Sequence, residues 1–225
     1  MKRNVILSAL RVAMLGVLAL PIVSCEEDDV KVIECIDANH IHAVDLGLSV
    51  KWACCNVDAS SPEEFGCYYA WGETYEKKDY TTDTYRFVED VDGNGFCSEG
   101  EWINIGTNIC NTSYDVAHMK LGDGWRMPTV SEVRELGDKC SWEWTHVNGV
   151  GGQKVTGPNG NSIFIPAAGY RVNTIIDGRA SAGIYWTGTN EQSEFSYVFS
   201  FDNKGYHKLQ YLNREYGLSV RPVKD

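Results

Sequence analysis

The chain predicts a mixed α+β domain with two or three short helices and a β-rich second half. Three observations predict it. After residue 140 apolar residues recur with a period of two, glycine and asparagine punctuate those runs, and one segment near residue 130 has a helical period behind a capping box.

The first 25 residues read as a signal. Lys2 and Arg3 precede an apolar run over 12–23, with Arg11 at its start and Pro21 near its end. The uninterrupted stretch is shorter than the roughly 20 residues a membrane helix needs. The run ends in Leu20-Pro21-Ile22-Val23-Ser24-Cys25, which resembles a bacterial lipobox with Cys25 as the lipidated residue. Glu26, Glu27, Asp28 and Asp29 follow, a run resembling the acidic export signal of Bacteroidetes-type lipoproteins. The expected organisation is a signal over 1–25, an acidic tether over 26–42 and one domain over 43–225, lipid-anchored to the outer membrane at the cell surface.

Within the domain, Leu46, Leu48, Val50 and Trp52 alternate through 44–57, which predicts a long strand. Ser60, Ser61 and Pro62 followed by Glu63 and Glu64 predict a short helix start. Residues 67–72 read as strand and turn, and 73–110 as a polar insertion with scattered aromatics and little core. A short helix is expected over 114–120, broken at Gly122 to Gly124. A clearer one starts at Thr129, where Thr129 and Glu132 form a capping box and Val130, Val133, Leu136 and Cys140 make one apolar face. Strands are expected near 142–147, 153–157, 162–165, 183–187, 195–201, 206–211 and 217–223. Asn159-Gly160 and the stretch from Asp202 to Gly205 mark hairpin turns.

Charge narrows the partners. Without Lys2, Arg3 and Arg11, 17 of the 20 basic residues remain against 31 acidic ones, a formal −14. Nucleic acid is therefore not an expected partner, because phosphate binding needs clustered cations. Seven cysteines besides Cys25 remain: Cys35, Cys54, Cys55, Cys67, Cys97, Cys110 and Cys140. The envelope favours disulfides, an odd number leaves one cysteine unpaired, and no C-x-x-C motif is present. Cys54 and Cys55 read as one buried and one bridged elsewhere rather than as a strained vicinal disulfide.

Several strings carry a resemblance: Val44-Asp-Leu-Gly-Leu-Ser-Val-Lys-Trp52, Tyr69-Ala-Trp-Gly-Glu73, Trp125-Arg-Met-Pro-Thr129, the stretch from Val155 to Gly169, Tyr185-Trp-Thr-Gly188 and Ser219-Val-Arg-Pro-Val223. Together, over residues 43–223, they resemble the Fibrobacter succinogenes major paralogous domain found in gut Bacteroidetes lipoproteins. That family is similar to the C-type-lectin-like fold, shared with the formylglycine-generating (sulfatase-modifying) enzymes. The resemblance implies a lectin-like domain whose two ends pair, with Gly47 to Val50 and Gly217 to Val220 as candidate partners. In such domains an R-x-P-T-x-x-E string opens a helix; here it is Arg126 to Glu132, and the capping box marks it as a stability motif. The enzymes of that group use a cysteine pair in the C-terminal part of the domain, whereas this chain has no cysteine after Cys140.

The sharpest local signal falls inside the insertion. Residues 90–101 satisfy D-x-[DN]-x-[DN]-G-x5-E, a calcium-loop pattern. Asp90, Asp92 and Asn94 would supply side-chain oxygens, Gly95 the turn, Phe96 its carbonyl, Ser98 a ligand through water and Glu101 a bidentate carboxylate, so Ca²⁺ is the expected ion. Residues 102–106 make a poor exiting helix for a paired-helix site. No G-x-S-x-G, H-E-x-x-H or phosphate loop appears, His40 and His42 lie in the tether, and His118, His146 and His207 stand alone. Glu132 and Glu135 read as a cap and a solvated acid rather than a glycosidase pair. Aromatic residues are abundant, 7 Trp, 12 Tyr and 7 Phe, and Tyr75, Tyr80, Tyr85, Trp102, Tyr206, Tyr211 and Tyr216 stand outside obvious core positions.

The expected function is a non-catalytic surface lipoprotein binding a glycan or protein ligand. A divergent formylglycine-type oxidase or polysaccharide-degrading enzyme, and a structural or adhesive component of a surface assembly, are the alternatives.

Overall fold

The computed structural model describes residues 41–89, 101–122, 124–191 and 194–225, the side chains of His207 and Lys208 excepted. All of them belong to one unit, Lys31–Asp225. The elements run β1 (Ala43–Val44), β2 (Lys51–Ala53), α1 (Val116–Leu121), β3 (Trp125–Arg126), α2 (Val130–Lys139), β4 (Ser141–Val147), β5 (Val150–Thr156), β6 (Ser162–Pro166), β7 (Tyr170–Val172), β8 (Ile175–Asp177), β9 (Ala182–Asn190), β10 (Phe195–Asp202), β11 (Gly205–Asn213) and β12 (Val223–Lys224), with a 3-10 turn at Thr82–Thr84. The architecture is β-rich with two α-helices among the described residues. Strands are ordered β1-β2-β12-β3, β11-β10-β9, β4-β5-β6 and β7-β8.

Both helices form where their caps are. Asp115 accepts from the amides of Ala117 and His118 at the start of α1, and Gly122 ends it at positive φ. Thr129 and Glu132 close the capping box of α2, whose buried face is Val130, Val133 and Leu136. Gly137 costs helix propensity in mid-helix. A Cβ there would stand 2.4 Å from the Tyr206 ring, so the glycine is what lets β11 lie against α2.

From β4 to β6 and from β9 to β11 the second half follows the alternation, with hairpins turning at Asn159 and Gly160 and between Asp202 and Gly205. The strand expected over 217–223 does not form as one: Gly217, Leu218 and Ser219 make isolated bridges and only β12 closes the run. The first half departs from expectation. Residues 44–57 do not form one strand: β1 folds back on β2, pairing Ala43 with Ala53 and Val44 with Trp52. The reversal needs Gly47 at φ 74°, and Asp45 holds it, accepting from the Gly47 amide through its side chain and from Asn159 and Asn161 through its carbonyl. The turn at Ser60 is capped by Glu64 at 2.8 Å but does not propagate, because Gly66 reverses the chain at φ 67° within the next turn. The two ends of the domain do pair, though not 47–50 with 217–220: Val223 meets Trp52 and Arg126, while Leu218 pairs with Tyr69 and Ser219 with Tyr185. The β7-β8 hairpin, turning at Asn173 with φ 52°, has only three residues a side and leaves no periodic signal in the sequence.

β9 and the Val198–Phe201 end of β10 are packed on both faces. Tyr185, Phe199 and Phe201 join Trp52, Val133, Leu136, Val155 and Ile165 on one side. Trp186 and Val198 join Tyr69, Trp71, Ile109, Val116, Met127 and Leu218 on the other. Two indoles tie the 67–72 segment to β9: Trp71 Nε1 donates to the Thr187 carbonyl at 2.9 Å and Trp186 Nε1 to that of Tyr69 at 2.7 Å. The insertion is not core-poor as its composition suggests, since Tyr68, Ala70, Tyr80, Tyr85 and Phe87 form a third cluster.

Candidate functional site

Cys25, Asp90, Asp92, Asn94, Phe96 and Ser98 lie outside the described residues. Of the expected calcium ligands only Glu101 is described, and it is buried. Residues on either side of the loop pair as an antiparallel stem: the Glu89 amide donates to the Glu101 carbonyl at 3.0 Å, Val88 bridges Trp102, and the Ile103 amide donates to the Phe87 carbonyl at 3.0 Å. The described flanks are therefore extended, so the helix pair of an EF-hand is not what holds this loop. Among the described residues no three His, Cys, Asp or Glu side chains converge as metal ligands would.

Arg214, at the end of β11, anchors the stem. Its fully buried guanidinium donates to the Tyr85 hydroxyl at 3.0 Å and to the Ile103 carbonyl at 3.2 Å. It also lies 5.0 Å from the Trp71 ring centre, 5.4 Å from that of Tyr85 and 5.9 Å from that of Trp102. Nearby, Glu73 accepts from Lys77 and the Arg86 amide, and Gly217 leaves room for the Tyr80 ring, which a Cβ would approach to 2.5 Å. Glu215 is buried as well, and its Oε2 meets no donor among the described residues. Burial pushes its carboxyl up, and the charge of Glu194 adds to the effect.

Several candidate acids and bases are committed to structural partners. Arg126 grips Glu132 with two bonds of 2.9 and 2.6 Å and reaches Asp225 at 2.7 Å. Burial works against the Glu132 carboxylate, yet the Arg126 and Thr129 hydrogen bonds outweigh it and hold its pKa below the ordinary range. Glu135 accepts from Lys139 and from Ser49. Asp58 accepts from Lys120 at 2.6 Å and from the Tyr69 hydroxyl. Arg221 is fully buried and spans three neutral acceptors, Asn56 Oδ1 and the carbonyls of Ala53 and Phe164, joining β2 to β6. His118 sits in α1 and His146 on β4 beside Trp144.

Three described thiols, Cys67, Cys110 and Cys140, are not activated. Burial, helped by Glu76 and Asp58, pushes Cys67 up to about 11; burial and Asp115 push Cys110 up to about 12; burial and Glu135 push Cys140 up to about 11. A nucleophilic or redox cysteine needs the opposite shift. Cys54 and Cys55 are both buried with their sulfurs 3.4 Å apart, too far for a bond between the two.

Of the seven aromatics that looked peripheral, Tyr80 and Tyr85 are core, while Trp102, Tyr206 and Tyr216 are half-buried against Tyr85, Trp142 and Tyr170. Tyr75 and Tyr211 are open, the latter 56% exposed. Tyr211 does not stand alone. It lies directly opposite Tyr197 across β10 and β11, and Phe195 meets its ring edge-on with centres 5.4 Å apart. Asn213, opposite Phe195, shares this face, while Leu212 turns to the core. The Glu191 carboxylate, hydrogen-bonded to the Tyr197 hydroxyl, pushes that phenol up, and the charge of Arg134 on α2 partly opposes the shift. Neither Phe195 nor Tyr197 stood out in the sequence, because apolar residues in 195–201 fall on both faces, Val198 among them, and mark neither as exposed. Cross-strand pairing with the expected β11 was the one signal that could have grouped them with Tyr211.

Comparison of the chain with protein-family models, with curated proteins and with solved structures finds no match.

Proposed function

We propose that this chain is a non-catalytic lipoprotein, anchored through Cys25 on the outer surface of the outer membrane, whose C-type-lectin-like domain of the Fibrobacter major paralogous type binds a glycan or a protein ligand. The observation that carries the binding role is the part-exposed aromatic face of Phe195, Tyr197 and Tyr211 on a hydrogen-bonded strand pair. Monomeric proteins rarely leave grouped aromatics in water without a use for them. Several described groups that could serve an active site are spent on structure: Glu132 and Glu135 are capped or ion-paired, and Cys67, Cys110 and Cys140 are held protonated.

Calcium has a separate role in this reading. The loop over 90–101 would take Ca²⁺ with affinity of the extracellular class, about 10⁻⁴ to 10⁻³ M, and the ion would order the insertion above its stem. Screening on a glycan array with and without chelator is the test of the binding role. Retention of specific glycans supports it, and silence in both conditions counts against a lectin. Millimolar Ca²⁺ should raise the melting temperature of the parent chain but not of Asp90→Ala; an unchanged parent melting temperature sinks the calcium loop.

A further inference from the structure

We infer that the face formed by Phe195, Tyr197 and Tyr211 is a platform for a neutral saccharide chain. This rests on the binding-module reading above and commits it to one ligand class.

Four features point to that class. First, the rings are already ordered. Tyr211 is braced by Phe195 at 5.4 Å and faces Tyr197 across a paired ladder, so a ligand need not immobilise it. Second, the platform is a sheet face. Its rings repeat about 5 Å across the strands and about 7 Å along them, which suits a chain of flat rings lying over it better than a small molecule enclosed in a pocket. Third, the chemistry matches a pyranose. The ring faces carry negative quadrupole density that attracts the polarised C–H groups of a sugar face. Around them the Tyr197 hydroxyl, the Glu191 carboxylate and the Asn213 amide offer donors and acceptors for sugar hydroxyls. Fourth, the rim carries charges of both signs: Glu191 bonds the Tyr197 hydroxyl and pushes that phenol up, and Arg134 on α2 opposes it in part. On a chain of formal charge −11, an acidic polymer gains nothing from such a rim and is repelled by the rest of the surface.

A protein partner fits less well. Three part-exposed rings fall short of the about 800 Å² that a standard protein interface takes from each side.

The test is affinity electrophoresis of the full-length chain in detergent, through native gels containing β-glucan, mannan, xyloglucan or polygalacturonate. Tyr211→Ala is the test variant and Tyr75→Ala, at an exposed tyrosine in the insertion, is the control. The expected result is retardation by at least one neutral polysaccharide, weakened about tenfold or more in Tyr211→Ala and unchanged in Tyr75→Ala. Equal retardation of Tyr211→Ala and parent would overturn the platform while leaving glycan binding standing. Retardation by polygalacturonate alone would overturn the neutral class. A parent chain ignored by every polysaccharide would overturn the saccharide assignment, and the protein-ligand arm of the proposed function would be what survives.

Discussion

The two ends of β10 carry the same kind of side chain and meet opposite fates. At the far end Phe199 and Phe201 are fully buried, with Trp52 at 6.2 Å from Phe199, Tyr185 stacked on it at 5.1 Å and Trp142 at 5.8 Å from Phe201. At the near end Phe195 and Tyr197 are only half-buried and their neighbour Tyr211 is exposed. The strand changes register between those ends. Against β9 it shifts between Ser196 and Val198, and against β11 between Val198 and Ser200. Bulges bend a strand and re-aim its side chains, and past this pair β10 packs Phe199 and Phe201 with Val133 and Leu136 of α2 and Trp142 of β4. The difference teaches that an aromatic in a strand becomes core or platform according to its cover, and that the cover is set by distant sequence.

Substitutions at the two ends should therefore separate stability from binding. Phe201→Ala should cost about 3–5 kcal/mol, since its cavity is closed on all sides; denaturant unfolding measures it, and a cost below about 1 kcal/mol would mean that the far end is loosely covered. The cover itself can be loosened. Glu132→Gln removes the carboxylate that caps α2 and receives Arg126, for an expected loss of about 1.5–3 kcal/mol at neutral pH. Because the Glu132 pKa is lowered in the folded state, its contribution is present above the ordinary carboxylate range and disappears as pH falls. The variant should accordingly lose stability less steeply than the parent on acidification.

Glu215 sharpens the contrast with the opposite sign. Its folded pKa is raised, so its contribution is full at acid pH and is lost as pH rises through the raised value. Glu215→Gln should flatten that decline and gain stability relative to the parent toward neutral pH, read from melting temperatures across the range; a parallel loss would show that the buried carboxylate has a partner it needs.

Sequence alone made much of this legible, and the pattern of success has physical causes. Helix α2 was readable because Thr129, Glu132 and its apolar face agree locally. The later hairpins were readable because their turns need glycine and asparagine at positive φ. The motif strings proved to be core: Trp52, Trp71, Trp186 and Arg221 are all fully buried, so they speak to fold and not to ligand. The reversal at Gly47 was hidden because its support comes from Asn159 and Asn161, more than a hundred residues away. Likewise the core of the insertion depends on Arg214, and the platform on a register between β10 and β11 that alternation does not specify.

The smallest structural effect is expected where the largest functional one is. Tyr211→Ala removes an exposed ring and one cross-strand pair, which should change stability by less than about 1 kcal/mol. Measuring its melting temperature and its polysaccharide affinity on the same preparation tests the central claim most directly: a parent-like melting temperature with binding lost is the predicted result, and parent-like binding, or a collapse in stability of the Phe201→Ala kind, would contradict it.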